Sequence, residues 1–241
     1  MHVLRGLGIT EADDDTVTLK VSDGGVSREV DVATVPHDDL VAWAGRFGEF
    51  RLPERSDVPY RHRLEDVQWS RWHGDALHVR LTEIQETPST ATTRRLEAPN
   101  LARVVLDLRQ NPGGNNHNNY PWVAALTDVV ESGVPLVVLT DRVTFSAASN
   151  LATDLERAVD PVFVGEPMGG GLNFWNDVVQ VRLDHLAVPM QVGVSTTYWQ
   201  RSSAEDPRLT IRPDLPVPVT AADVFSGRDP ALRVALGPLE R

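Results

Sequence analysis

Cysteine is absent from the 241 residues, which excludes disulfide frameworks, thiolate metal sites and a cysteine nucleophile. No apolar run is long enough to cross a bilayer as a helix, and Met1 to Gly8 lacks a basic segment followed by a long apolar stretch. The chain is therefore expected to be soluble and to carry no export signal. Positive charge is scarce: 23 Lys and Arg stand against 34 Asp and Glu, a formal balance of −11. Such a surface repels phosphate backbones and anionic lipid, so neither nucleic acid nor a membrane is expected as a partner. Internal repeats and low-complexity tails are also missing, and no cofactor or metal is expected.

What is present reads as an α/β chain long enough for a substantial core. Thr16 to Val21 and Val26 to Val32 alternate apolar and polar around Asp23-Gly24-Gly25, a hairpin signal. Asp38 to Phe50 has the pattern of one short amphipathic helix, and Arg51 to Pro59 reads as a proline-bounded linker. The domain boundary falls there, with residues 1–50 as an N-terminal element and 51–241 as the core. Tyr60 to Trp72 carries no clear period, Ala76 to Ile84 alternates as a strand, and Thr87 to Thr93 reads as a loop. His78 is expected to face solvent or a sheet edge, and His73, beside Gly74-Asp75, to be turn material.

Leu136 to Leu139 is a continuous apolar run and Val104 to Leu108, apolar but for Asp107, a second strand of the same buried type, as in parallel strands buried on both faces. Pro121 suits a first helical turn, and Trp122, Leu126, Val129 and Val130 give the helix that follows an apolar face. With the strand Pro161 to Val164, the alternation of strand and helix points to a mostly parallel sheet with right-handed crossovers. Val178 to Leu183 and Val188 to Val194 are expected as antiparallel additions, and Asp229 to Leu236 as a terminal helix.

Ligands gather beyond the carboxyl ends of parallel strands. Ser146 stands where the strand Leu136 to Leu139 gives way to a helix with Ala148, Leu151, Ala152, Leu155 and Val159 on one face. Serine is a preferred helix cap. The same position also suits an exposed nucleophile, because amides of the first helical turn point at whatever its oxygen attacks. An amide of Gly113 or Gly114 with that of Ala147 would then form a two-donor oxyanion hole. Asn111-Pro112-Gly113-Gly114 can equally be an ordinary tight turn.

The run Val-Val-Leu-Asp-Leu-Arg-Gln-Asn-Pro-Gly-Gly from Val104, Leu-Thr-Asp-Arg-Val-Thr-Phe-Ser-Ala-Ala from Leu139 and Val-Gly-Glu-Pro-Met-Gly-Gly-Gly from Val164 together resemble the tail-specific (C-terminal processing) and tricorn-type serine peptidases. The resemblance covers roughly Tyr60 to Pro218. It implies a crotonase/ClpP-like core of ββα units, Ser146 as nucleophile, and oxyanion donors at Ala147 and the Gly113-Gly114 turn, with Gly170 in the third motif beside the substrate. The Thr16 to Val32 hairpin is similar to the back half of a PDZ-like module, so the resemblance implies a chain that begins partway through a longer ancestor.

Two departures concern the base. The tail-specific lysine falls at Gly171, which rules out a Ser–Lys dyad, and the upstream histidine motif of the tricorn branch does not occur. For the downstream carboxylate of that branch the nearest match is Glu205 or Asp206. A serine hydroxyl needs a base beside it. Of the seven histidines, His117 lies closest in sequence to the oxyanion turn, while His62 and His185 have no evident partner. His117 is a base candidate or an exposed loop histidine.

Asn115, Asn116, Asn118 and Asn119 offer donors and acceptors for a peptide backbone, or are hydrated loop residues. Trp175, Tyr198 and Trp199 line a groove or belong to the core. The expectation is thus a serine-type peptidase acting on peptide or unstructured protein. The alternative is a degenerate member that binds a peptide or a small apolar ligand without cleavage. Assembly into a homo-oligomer would offer a third route, a base supplied by a partner copy.

Overall fold

The computed structural model describes residues 16–23, 25–33, 58, 63, 65–183 and 190–239. The helix expected over Asp38 to Phe50, most of the linker after it, and His62 and His185 lie outside the described residues. Contacts divide the chain into two units, Met1–Leu52 and Pro53–Arg241. In the first, β1 (Thr16–Asp23) and β2 (Val26–Ala33) pair antiparallel from Thr16 opposite Ala33 to Asp23 opposite Val26. Gly25, at φ 84°, lets the chain reverse between them.

The second unit holds a six-stranded, mostly parallel sheet. Its strands in chain order are β3 (Gln68–His73), β4 (Ala76–Leu81), β5 (Arg103–Asp107), β6 (Leu136–Thr140), β7 (Val162–Gly165) and β10 (Leu215–Pro216). Across the sheet the order is β10-β7-β6-β5-β4-β3, with every pair parallel except β3 and β4. The helices are α1 (Thr90–Leu96), α2 (Asn119–Glu131), α3 (Ala147–Val159), α4 (Ala221–Ser226) and α5 (Pro230–Leu236), with a short 3-10 turn at Asn116–Asn118. β8 (Asn173–Leu183) and β9 (Met190–Gln200) form a separate antiparallel ribbon.

The continuous apolar runs are explained by two cores, one on each face of the sheet. Val104, Leu106, Leu136 and Val138 point to one face, where Trp122, Leu126 and Val129 of α2 and Leu151 and Leu155 of α3 pack. Val105, Val137 and Leu139 point to the other, against Ala231, Leu232 and Ala235 of α5. A strand buried on both sides cannot alternate in polarity.

Three local expectations are corrected. His78 is fully buried, because β4 is covered on both faces. His73 is the last residue of β3, which a mixed aromatic and charged pattern had concealed; Trp69 in that strand is buried. Residues 90–96 are helical although they follow a Ser/Thr/Pro-rich stretch, since Ser89 caps α1 by accepting from the Thr92 amide at 3.2 Å.

Candidate active site

The loops after β4, β5, β6 and β7 converge beyond the carboxyl ends of the parallel strands. The loop after β5 is fixed first by charge. Asp107 and Arg109 pair at 2.7 Å, and Arg109 reaches on to Asp229, the cap of α5, at 2.8 Å. His78 Nε2 lies 3.1 Å from the same carboxylate, and Arg80 Nη1 lies 3.0 Å from its other oxygen. Burial alone would push the Asp107 carboxyl up, but the Arg109 and Arg80 guanidiniums hold it well below the usual carboxylate range.

Beyond Arg109, side chains shape the turn. The Gln110 amide donates to Asp141 at 3.1 Å, and Asp141 also accepts from the amides of Val143 and Thr144, so one carboxylate serves the loops after β5 and β6. Asn111 is fully buried; its Nδ2 donates to the Leu81 carbonyl at 2.9 Å and its Oδ1 accepts from the Gly113 amide at 2.9 Å. The Asn111 carbonyl accepts from the Phe145 amide at 3.0 Å, and the Gly113 carbonyl from Ile84 at 2.7 Å. Gly113 has φ 118°, and a Cβ there would stand 2.6 Å from Ser146 Cβ and 2.9 Å from the Ala147 nitrogen. Glycine is required twice, by the backbone angle and by the close approach. Gly114, at φ 141°, lies against the Ile84 carbonyl and forms a bridge with that residue.

Ser146 occupies the cap position of α3 but does not cap. Its backbone sits at φ 51°, ψ −122°, and its side chain makes no capping hydrogen bond. A non-glycine residue in such a region costs about 1–3 kcal/mol and persists only where the surroundings over-determine it. A six-residue loop, Asp141 to Ser146, joins β6 to α3, and the strained serine stands directly before the first helical residue. Ser146 is half-buried, and neither its hydroxyl nor the amides of Gly114 and Ala147 have a hydrogen-bond partner among the described residues. Gly113, Gly114, Ser146 and Ala147 are thus brought together. The Gly113 amide is used by Asn111, which leaves that of Gly114 open.

Other expected residues are placed differently. The Gly169 and Gly170 amides both go to the Thr144 carbonyl at 3.1 Å, and Gly170 packs on Ser149, so this loop braces the turn before Ser146. Asn116 Oδ1 accepts from Asn150 Nδ2 of α3 at 2.7 Å, while Asn119 Nδ2 donates to the Ala147 carbonyl at 2.9 Å. These asparagines fasten the 3-10 turn and the start of α2 to the first turn of α3. His117 is exposed in that 3-10 turn, and no hydrogen bond joins it to Ser146. Glu205 is exposed and bonded to neither. Asp206 is engaged by Arg208 at 2.8 Å and Ser202 at 2.5 Å, hydrogen bonds that lower its pKa.

Phe145 is 45% exposed and meets Phe174 with ring centroids 6.5 Å apart, an apolar wall beside Ser146. A separate cavity of about 510 Å³ lies between α1 and α2, lined by Leu96, Leu101, Val129 and Asp128, and contains none of these residues. Asn111, Asp141 and Phe174 were not anticipated; Asn-Pro-Gly and Asp-Arg-Val-Thr, as side-chain-capped turns, carried the first two.

No family model matches the chain, and no curated protein matches it. Among solved structures it is similar to the photosystem II D1 C-terminal processing protease, at 20% identity over 86% of this chain and 56% of the other, with a TM-score of 0.40. It is also similar to a Bacteroides fragilis protein described as an S41 protease, at 15% identity over 88% and 61%, with a TM-score of 0.45. The third is the tricorn protease, at 13% identity over 91% and 22%, with a TM-score of 0.41. The family that the motifs resemble is the family of these structures. The chain spans less than two thirds of the length of each.

Proposed function

We propose that the protein is a serine-type peptidase of the tail-specific or tricorn kind with Ser146 as its nucleophile. The observation that carries the reading is Ser146 itself, held at φ 51° with a hydroxyl that has no partner among the described residues, where the Gly113-Gly114 turn touches the start of α3. Capping does not account for such a residue, since the cap bond is not made. Strained residues of this kind cluster at active sites and ligand clamps, which supports the reading.

In this reading Ser146 Oγ attacks the peptide carbonyl carbon and a C–O bond forms. The carbonyl oxygen takes the negative charge and accepts from the Gly114 and Ala147 amides. The hydroxyl proton passes to His117, whose turn is tied through Asn116 to α3, and then to the leaving amine as the C–N bond breaks. Water hydrolyses the acyl-enzyme by the same route. Glu205 orients the imidazole, and catalytic hydrogen bonds of this kind tighten on substrate binding. Phe145 and Phe174 contact the substrate side chain next to the scissile bond, and Asn116 and Gly170 belong to the walls of the site. The same reading takes residues 51–241 as a crotonase/ClpP-like core and 1–50 as the back half of a PDZ-like module.

Hydrolysis of an unstructured peptide, lost in Ser146→Ala, is the expected result. A second reading is favoured by the absence of a base hydrogen-bonded to Ser146 among the described residues: the site binds a peptide or small apolar ligand without cleaving it. Unchanged affinity in Ser146→Ala with no turnover by either protein would select that reading, and robust turnover would remove it.

A further inference from the structure

The β8–β9 ribbon carries an uncovered apolar face. Its register sets Val179 opposite Val194, Val181 opposite Val192 and Leu183 opposite Met190. Alternate positions share a side of a ribbon, so these pairs form one ladder. The pairs between them, Gln180 with Gly193 and Arg182 with Gln191, form the polar side. In step with the ladder, Trp175 faces Tyr198 with ring centroids 5.4 Å apart. Val179, Val181, Val192, Val194 and Met190 are 41–54% exposed, Trp175 63% and Tyr198 45%. A lone two-stranded ribbon is marginal in water, and a contiguous apolar strip on it marks a contact surface.

We propose that this face joins two copies of the chain, the ribbons packed face to face about a two-fold axis. The area suits that occupant. The exposed fractions leave about 650 Å² of residue surface on each copy, and a pair that covered all of it would remove about 1,300 Å² from water, at the lower end of the roughly 1,200–2,000 Å² of specific stable interfaces. A ladder of small β-branched side chains is self-complementary, as a two-fold contact demands, and faces of this kind pack as sheets do in a sandwich. Charge points the same way. The chain carries a formal −11, so a second copy is repelled over most of the surface, whereas none of the paired residues of this ladder is charged. The inference does not depend on the peptidase reading.

Light scattering on the full chain across micromolar concentrations tests it. Wild type is expected at the mass of a dimer, and Val181→Lys with Val192→Lys at the mass of a monomer with unchanged circular dichroism. Val178→Lys, opposite Ser195 on the polar side, keeps the dimer. Because the chain has no cysteine, single-cysteine variants give a second readout that needs no disruption. Val192→Cys is cross-linked between copies by a short bismaleimide, and Val178→Cys is not. A monomeric wild type overturns the proposal, whether or not it pellets with phosphatidylcholine vesicles. So does a dimer that survives the double lysine variant, or equal cross-linking from both cysteines.

Discussion

Replacing Ser146 by alanine and by glycine separates a helix cap from a strained nucleophile without any assumption about activity. A capping hydroxyl lost to alanine costs about 0.5–2 kcal/mol. Ser146 makes no cap bond, so Ser146→Ala is expected to change stability by no more than about 0.5 kcal/mol, as a partly exposed side chain without partners does. Glycine goes further, because φ 51°, ψ −122° is disfavoured for any residue with a Cβ. Relief of about 1–3 kcal/mol of strain, less the about 0.5–1 kcal/mol of extra entropy that glycine loses on folding, leaves Ser146→Gly more stable by about 1 kcal/mol.

For a chain of 241 residues that is a rise in Tm of about 2–4 °C. Urea unfolding followed by tryptophan fluorescence reads it directly, since Trp69, Trp72, Trp122, Trp175 and Trp199 all lie in the Pro53–Arg241 unit. A Ser146→Gly variant less stable than wild type, or a Ser146→Ala variant destabilised by 1–2 kcal/mol as a lost cap would be, would refute the reasoning.

Gly113→Ala places a Cβ 2.6 Å from that of Ser146 at φ 118°; it is expected to cost about 1–3 kcal/mol in urea and to slow acylation of Ser146 by at least tenfold, the worth of about 1.4 kcal/mol. Asn111→Ala strands the buried Leu81 carbonyl and Gly113 amide, a loss of about 1–3 kcal/mol measurable in the same way. Asp107→Asn leaves Arg80 buried without its counter-charge and should lower stability by about 3–5 kcal/mol, whereas Arg80→Met, which leaves Asp107 paired with Arg109, should cost less. Acidification should destabilise in two stages. Burial and the neighbouring His78 lower the His73 pKa from 6.5, so the unfolded state binds more protons below about that pH; the depressed Asp107 adds a second loss once pH falls below 3.8, its ordinary value. Thermal melts at stepped pH would show both, and stability rising toward acid would contradict them.

The parallel sheet was legible because Leu136 to Leu139 is an unbroken apolar run and Val104 to Leu108 is apolar at every position but Asp107, and such strands need cover on both faces. His78 and Arg80 were not, since they sit in an alternating segment, and their burial rests on β4 being covered on both faces and on Asp107, on the next strand in sequence beyond a helix, facing both side chains. Around Ser146 the glycine pair and the strand-to-helix junction were readable from residue type and position. The positive φ at Ser146 was not, because it arises from packing of the Asn111 to Gly114 turn against Phe145 and Ala147. The histidine question also stays with tertiary structure: His117 is near the oxyanion turn in sequence, yet its 3-10 turn leaves the imidazole exposed.

Reaction with a fluorophosphonate probe, followed by mass mapping of the modified peptide, tests the central claim most directly. An activated Ser146 is expected to carry the phosphonyl group on the peptide containing Phe145-Ser146-Ala147, with labelling abolished in Ser146→Ala and slowed in His117→Ala. A folded wild-type chain that takes up no label, or takes it up equally in Ser146→Ala, would contradict the account.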